Sequence, residues 1–477
     1  MNRILGTFAA AFAPGILLAV ACGGSSSTAA NADGGIAADA ARPALADAFA
    51  AAGFSILEGR YGAIDLAGCC ADGASCFANN PASPYLAVTL PPGPGQTATN
   101  PKLFQDSAGR SAAFRLRRDE AVVLFGPPPP AAAYVGLTPY VYDRAPASGT
   151  ERAVVFASVS DSFSLKDLSQ LSLPAGASIA FVFAADATTE ARAVAALTST
   201  GVPEKTIVRM PWVVTGGTPT NPIAFGFENI SDTFGILGRV ALPKDPAALR
   251  AYLAAPQVAV YRLTPTAGVA DASPAPFPQR TPAIRDDERE LVSALDELEQ
   301  ALRTHYADGI ITPVAVTDAS PDPIACLSEL TNCNGDNRDT DYPSSLPFLF
   351  PAGDDRIIIL GVNHAATGHS TYSSFGVYTI DHLLGVSSVA NDAYANSANS
   401  WIPKQADAPK LFAWSFARSC AGETSCTAIS ADACPSGIAD NAAAFLTFRD
   451  YVDPVTGTRP RYQDLVPSRV LRYRKRR

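Results

Sequence analysis

The chain has four histidines, and three of them, His364, His369 and His382, fall between positions 364 and 382. Histidine changes charge near neutral pH, so a strand-end loop that concentrates it is the first place to look for proton transfer. The loop runs Gly361-Val362-Asn363-His364-Ala365-Ala366-Thr367-Gly368-His369-Ser370-Thr371-Tyr372. A hydrolase would use His364 as general base, with Asn363 and Tyr372 beside it and Asp381 or His382 across a hairpin. His364 and His369 could also ligate a metal, although an i, i+5 pair in a loop is no ligand signature. The plainer reading is that Asn363 and His364 satisfy backbone groups of the loop.

A second oxygen-rich loop carries Asp336, Asn337, Asp339 and Asp341 next to Cys333. Calcium takes such ligands, and extracellular sites tolerate weak binding. The alternative is a solvated acidic turn. The stretch Gly335-Asp336-Asn337-Arg338-Asp339 resembles a conserved block of type I signal peptidases, but Thr340-Asp341-Tyr342 does not continue that pattern. Gly368-His369-Ser370-Thr371-Tyr372 lacks the second glycine of a nucleophile elbow. Ser160-Asp161-Ser162 has Ser160 where a lipase-like hydrolase block has glycine. The chain contains no phosphate-binding loop, no dinucleotide fingerprint and no H-E-x-x-H.

These loops hang on elements that hydrophobic periodicity predicts. Val122-Val123-Leu124-Phe125-Gly126 and Ile357-Ile358-Ile359-Leu360-Gly361 are unbroken apolar runs, as expected of strands buried on both faces. They belong to a longer pattern that occurs twice. One copy is Phe114, Asp119-Glu120, the apolar run, Ala131, Tyr134, Tyr140 and Asp143. The other is Phe348, Asp354-Asp355, the run, Ala366, Tyr372, Tyr378 and Asp381. Such repetition predicts two related halves of one core. In the first half, strands at 179–185, 206–214, 234–242 and 257–263 and helices capped by Asp186 or Thr188 and by Asp245 follow the chain order β-α-β-β-α-β, that of a ferredoxin-like unit. A helix from Thr281-Pro282 carries the stripe Leu291, Leu295, Leu298, Leu302, with His305 as a structural extension. The predicted fold class is therefore α+β, two related halves with mainly antiparallel sheet.

The N-terminus supplies an address. Met1-Asn2-Arg3 precedes an apolar stretch that ends Leu18-Ala19-Val20-Ala21-Cys22, followed by Gly23-Gly24-Ser25-Ser26-Ser27. This resembles the lipobox of bacterial lipoproteins, with Leu18 one place early. The resemblance implies cleavage before Cys22 and its diacylation, and hence an exported protein lipid-anchored to the cell membrane or outer membrane and facing periplasm or exterior. Eight of the nine cysteines then remain: Cys69, Cys70, Cys76, Cys326, Cys333, Cys420, Cys426 and Cys434. An even set in an exported chain is expected to oxidise. Cys326 and Cys333 can pair locally. Each triplet can make one local bridge, and the simplest completion joins the leftovers across the chain.

Composition bounds the rest. With 477 residues, 47% hydrophobic and 17% charged, the chain can build substantial cores, and a net charge of −9 without an internal basic stripe argues against nucleic acid as partner. The basic tail Arg469, Arg472, Arg474, Lys475, Arg476, Arg477 reads as a frayed end or as a contact for anionic lipid headgroups. The expected organisation is a signal peptide at 1–21, a lipidated tether at 22–42 and a loop-rich, disulfide-held region at 43–110. Half one follows at 111–265, then a Pro-rich connection at 266–282 and half two at 283–477. Two function classes fit: a binding or scaffold lipoprotein with a small-molecule or protein ligand, and an envelope hydrolase centred on His364.

Overall fold

The computed structural model describes residues 38–476 except 65–69, 71–75, 77, 147–150, 215–222, 269–272, 275, 278–279, 281–284, 319, 321 and 441. Cys22, Cys69, Thr281 and Pro282 lie outside the described residues.

Among the described residues, ten principal strands lie in each half. The first half has β1 (Phe54–Glu58), β2 (Arg60–Ala63), β3 (Tyr85–Thr89), β4 (Ala121–Gly126), β5 (Ala132–Arg144), β6 (Ala153–Ser158), β7 (Ile179–Ala184), β8 (Ile207–Pro211), β9 (Thr233–Pro243) and β10 (Ala259–Pro265). The second has β11 (Gly309–Val314), β12 (Val316–Asp318), β13 (Pro343–Ser345), β14 (Arg356–Val362), β15 (Tyr372–Thr379), β16 (Gly385–Ala390), β17 (Leu411–Ala417), β18 (Cys426–Ala428), β19 (Ala443–Tyr451) and β20 (Arg469–Lys475). The sheets of the first half run β1-β10-β4-β7-β8 and β2-β3-β9-β5-β6. Those of the second run β11-β20-β14-β17-β18 and β12-β13-β19-β15-β16. Each strand thus has a counterpart ten numbers later at the same place in the corresponding sheet of the other half. The described pairings are antiparallel except β7 with β8 and, at the equivalent place, β17 with β18. Two short strands break the correspondence: Phe163–Ser164 joins β5, and Phe348–Leu349 joins β19. The protein is α+β and built from two structurally similar halves.

The apolar runs explain the layering. Along β4, Val122 and Leu124 face the core between the two sheets, while Ala121, Val123 and Phe125 face the helices. In β14, Ile357 and Ile359 face the inter-sheet core and Ile358 and Leu360 the helical side. A strand covered on both faces has no polar side to present, hence the unbroken runs. Helices α1 (Ala38–Ala51) and α2 (Ala187–Ser199) cover the first sheet through Leu45, Phe49, Val194 and Leu197. Asp186 caps α2 by accepting from the Thr189 amide, and Asp245 caps α3 (Pro246–Ala254) through Ala247. In the second half α4 (Val292–His305) buries Leu295, Leu298 and Leu302 against Ile358 and Leu360. His305 is exposed and rests edge-on against Trp401.

Several expectations are corrected. The β-α-β-β-α-β order is present from β7 to β10, but it is no ferredoxin-like unit: β7, β8 and β10 share one sheet while β9 belongs to the other. The thirteen-residue β5 templates β9 along nearly its whole length, a long-range pairing that chain order does not encode. Helix α1 begins inside the span read as tether. Helix α4 starts at Val292, because Glu288 is drawn into the core and a 3-10 turn at Arg289–Leu291 intervenes. The basic tail is no frayed end: β20 lies between β11 and β14, and Arg469 pairs with Asp296 and Glu299 of α4.

The halves are interlocked by reciprocal arms. The arm between β2 and β3 reaches the second half, where the amides of Cys76 and Ala78 donate to the carbonyls of His382 (2.6 Å) and Leu383 (2.8 Å). The arm between β12 and β13 reaches the first half, where the amides of Cys333 and Gly335 donate to Val155 and Phe156, both at 2.9 Å. Asn79 accepts from the Gly385 amide at 2.8 Å, and Asp336 from the Ser158 amide at 2.7 Å. Asn80 Nδ2 donates to the Tyr372 hydroxyl (3.2 Å) and Asn337 Nδ2 to that of Tyr134 (3.0 Å). Contacts that recur with the halves exchanged are those of an isologous interface. Disulfides fix the arrangement: Cys326–Cys333 and Cys420–Cys426 are local, and Cys70–Cys434 ties the first arm to the C-terminal region, as the count of leftovers anticipated.

Candidate functional site

The histidine loop is a buried structural ion pair. His364 Nδ1 lies 2.7 Å from Glu288 Oε2, and His369 Nδ1 lies 3.2 Å from Oε1. Thr367 donates to the same carboxylate, and the Val466 amide adds a further bond. Burial, the largest single influence on His364, opposes its charge, but Asp450 and Glu288 outweigh it and lift the pKa to about 9. Glu288 is likewise opposed by burial, yet the His364 charge and its hydrogen bonds hold it below the usual carboxylate range. The cavity bordered by His364 and Asp450 has only about 10 Å³, room for about one water. A histidine that stays protonated at neutral pH and meets no substrate space is no general base.

The other nominated residues separate. Asn363 accepts from the Ala366 amide at 3.3 Å, a loop-closing role. Tyr372 faces Tyr451 and Asn80 at the junction of the halves. Asp381 is exposed beyond the far end of β15, beside His382. The loop brings His364 and Asn363 together, and neither Tyr372 nor Asp381 joins them.

This pair predicts a pH profile. The folded-state pKa of His364, about 9, exceeds its ordinary 6.5, so its contribution is complete below 6.5 and fades as pH rises through 9. Denaturant midpoints of the wild type should fall between pH 7 and 10 by the equivalent of a few kcal/mol. Those of His364→Gln should be flat there, and parallel curves would refute the pairing.

The oxygen-rich loop does not converge on a cation position. Asp336 gives both carboxylate oxygens to Ser158, and Asn337 binds Ser162 and Tyr134. Asp339 accepts from Tyr134 at 2.9 Å and from Arg280 at 3.0 Å, and Asp341 from Arg459 at 2.8 Å. Burial lifts Asp339 and Asp341 to about 6. These side chains fasten the second arm to its surroundings. The cluster of ligand-type groups found among the described residues is Cys70, Cys76 and Cys434. Cys70 and Cys434 are joined to each other and Cys76 is also disulfide-bonded, so the cluster offers no thiolate to a metal.

A different place has the character of a site. Where the arms cross, a cavity of about 170 Å³ is bordered by residues of both halves, among them Tyr85 and Arg239 from one and Tyr342 and Arg449 from the other. The two arginines occupy equivalent strands, β9 and β19, and have equivalent surroundings. The Arg239 guanidinium lies 4.9 Å from the ring centre of Tyr85 and 5.8 Å from that of Tyr140. For Arg449 the values are 5.4 Å to Tyr342 and 5.2 Å to Tyr378. Arg239 donates to the Tyr140 hydroxyl at 2.8 Å and reaches the Gly335 carbonyl of the incoming arm. Arg449 donates to Tyr378 and to the Ala78 carbonyl of the other arm. Burial pushes Tyr140 and Tyr378 up to about 12, so both phenols are neutral. The arginines are 1% and 2% exposed, and in each the Nε is buried without a hydrogen-bond partner.

The remaining wall is mostly apolar, with Asn334, Ser344 and Thr447 as polar members, and its backbone is constrained. Leu103, Phe104, Phe156 and Leu383 border the space. Ala78, Phe104, Phe156, Asn334 and Leu383 all have positive φ, between 28° and 52°, a region that non-glycine residues seldom enter and that clusters at functional sites. Sequence reasoning passed over this site, although signals exist. Cys76 and Cys333, Asn80 and Asn337, and Tyr85 and Tyr342 are each 257 residues apart, and Arg239 interrupts an otherwise apolar run.

No protein-family model matches the chain, and no curated protein sequence matches it.

Proposed function

We propose that this chain is an exported, lipid-anchored binding protein of the cell envelope that holds a small molecule between its two halves. The observation that carries the reading is the cavity at the crossing of the arms, where two buried arginines border a mostly apolar space. Pockets of this kind, mostly apolar with a few convergent polar groups, are the usual form of a small-molecule site. The address rests on the lipobox resemblance around Cys22 and agrees with the disulfides, which persist in oxidising compartments.

The address has a direct test. Cys22→Ala should move the protein from the membrane fraction to the soluble envelope fraction, with loss of the lipid mass at the N-terminus. Continued membrane fractionation of the variant would remove the anchor from the proposal. The binding reading depends on small probes entering the cavity: if neither a charged nor a neutral aromatic probe gives a calorimetric signal, it is withdrawn.

A further inference from the structure

Among the described residues, Arg239 and Arg449 have no carboxylate hydrogen-bond partner. Their described side-chain partners are hydroxyls and carbonyls. Asp336 senses the Arg239 charge but gives both oxygens to Ser158. The described cavity wall contains no carboxylate. Buried cations without a counter-charge are costly, and such sites are completed by an anion.

We infer that the cavity takes a small organic carboxylate, with its charged group at Arg239 and Arg449 and its apolar body against Leu103, Phe104, Phe156 and Leu383. The inference rests on reading the cavity as a ligand site. Tyrosine rings lie over both guanidiniums, and both side chains border the cavity, while each Nε–H is enclosed away from it without a partner. Hydrogen bonds from a guanidinium to a carboxylate are charge-assisted and stronger than those to a neutral oxygen. Size sets the body: the space is about 170 Å³, and cavities of about 150 Å³ hold benzene. A highly charged phosphate ester would require more donors than this wall supplies.

The test is a calorimetric titration of the purified full chain with benzoate, its neutral counterpart benzyl alcohol, and acetate. Benzoate should bind roughly tenfold to a hundredfold tighter than benzyl alcohol, and acetate should give no measurable signal. Arg239→Gln and Arg449→Gln should each abolish the benzoate advantage over benzyl alcohol. Each arginine also holds an arm, so the unaltered protein supplies a second readout: benzoate should raise its melting temperature more than benzyl alcohol does at equal concentration. Equal affinity for benzoate and benzyl alcohol would overturn the anion assignment and leave the cavity as a ligand site. Acetate binding as tightly as benzoate would overturn the apolar body. Silence from all three probes would overturn both the assignment and the binding reading.

Discussion

Glu120→Ala should destabilise the protein by about 3–5 kcal/mol, the cost of leaving one member of a buried ion pair alone. Glu120 and Arg262 are fully buried and meet in a bidentate pair, Nε to Oε1 at 3.0 Å and Nη2 to Oε2 at 2.7 Å. Thr264 and the Arg117 amide complete the carboxylate's bonds, and the carbonyls of Pro91 and Arg115 complete those of the guanidinium. Truncation therefore strands a cation that water cannot reach. Replacing both residues, Glu120→Leu with Arg262→Leu, should recover much of the loss, since the penalty lies in the unpaired charge. Urea unfolding of the two single variants and the double variant measures this directly. A loss below about 1 kcal/mol for Glu120→Ala would mean that the pair is not dry, contrary to this account. The contrast with Arg239 and Arg449 is instructive. Arg262 has a carboxylate partner where structure alone is served, whereas Arg239 and Arg449, beside a cavity, hydrogen-bond none among the described residues.

The second large effect is expected from the long bridge. Cys70 and Cys434 are 364 residues apart in sequence, against 7 for Cys326–Cys333 and 6 for Cys420–Cys426. In the chain-entropy account, closing a loop of such length restrains the unfolded state by up to about 5 kcal/mol, compared with about 2 for the short loops. Cys70→Ala with Cys434→Ala should thus lower the melting temperature more than Cys326→Ala with Cys333→Ala, under identical non-reducing conditions. The order would reverse if residual structure already held the ends together in the unfolded chain. Equal shifts would show that the crossed arms, rather than the covalent tie, hold the first arm in place.

Much of the architecture was legible because it depends on local chemistry. Strands β4 and β14 announce themselves as unbroken apolar runs, and Asp186 and Asp245 are capping residues at helix starts. The similarity of the halves was legible for the same reason, since Tyr134 and Tyr140 recur as Tyr372 and Tyr378 at equal spacing. What escaped was everything set by contacts between distant segments. Nothing near β9 indicates that β5 will draw it into the other sheet. His364 looked reactive because its neutraliser, Glu288, lies 76 residues upstream. The loop at 336–341 looked like a cation site because acceptors were counted without the donors, Ser158, Tyr134, Arg280 and Arg459, that reach it after folding. Arg239 and Arg449 were visible as charges within strands, but their meaning depends on the arms that cross beside them.

The reciprocal arms have one more consequence. Two identical subunits exchanging such arms would form a cavity with two equal ends, and a ligand could lie in it either way round. Carried on one chain, the two ends are free to diverge. Here they have done so: Leu103, Phe104 and Ala112 on the first-half side come from a segment between β3 and β4, and the second half contributes no residue to the wall from the much shorter segment between β13 and β14. A ligand held there would therefore meet a defined head and tail.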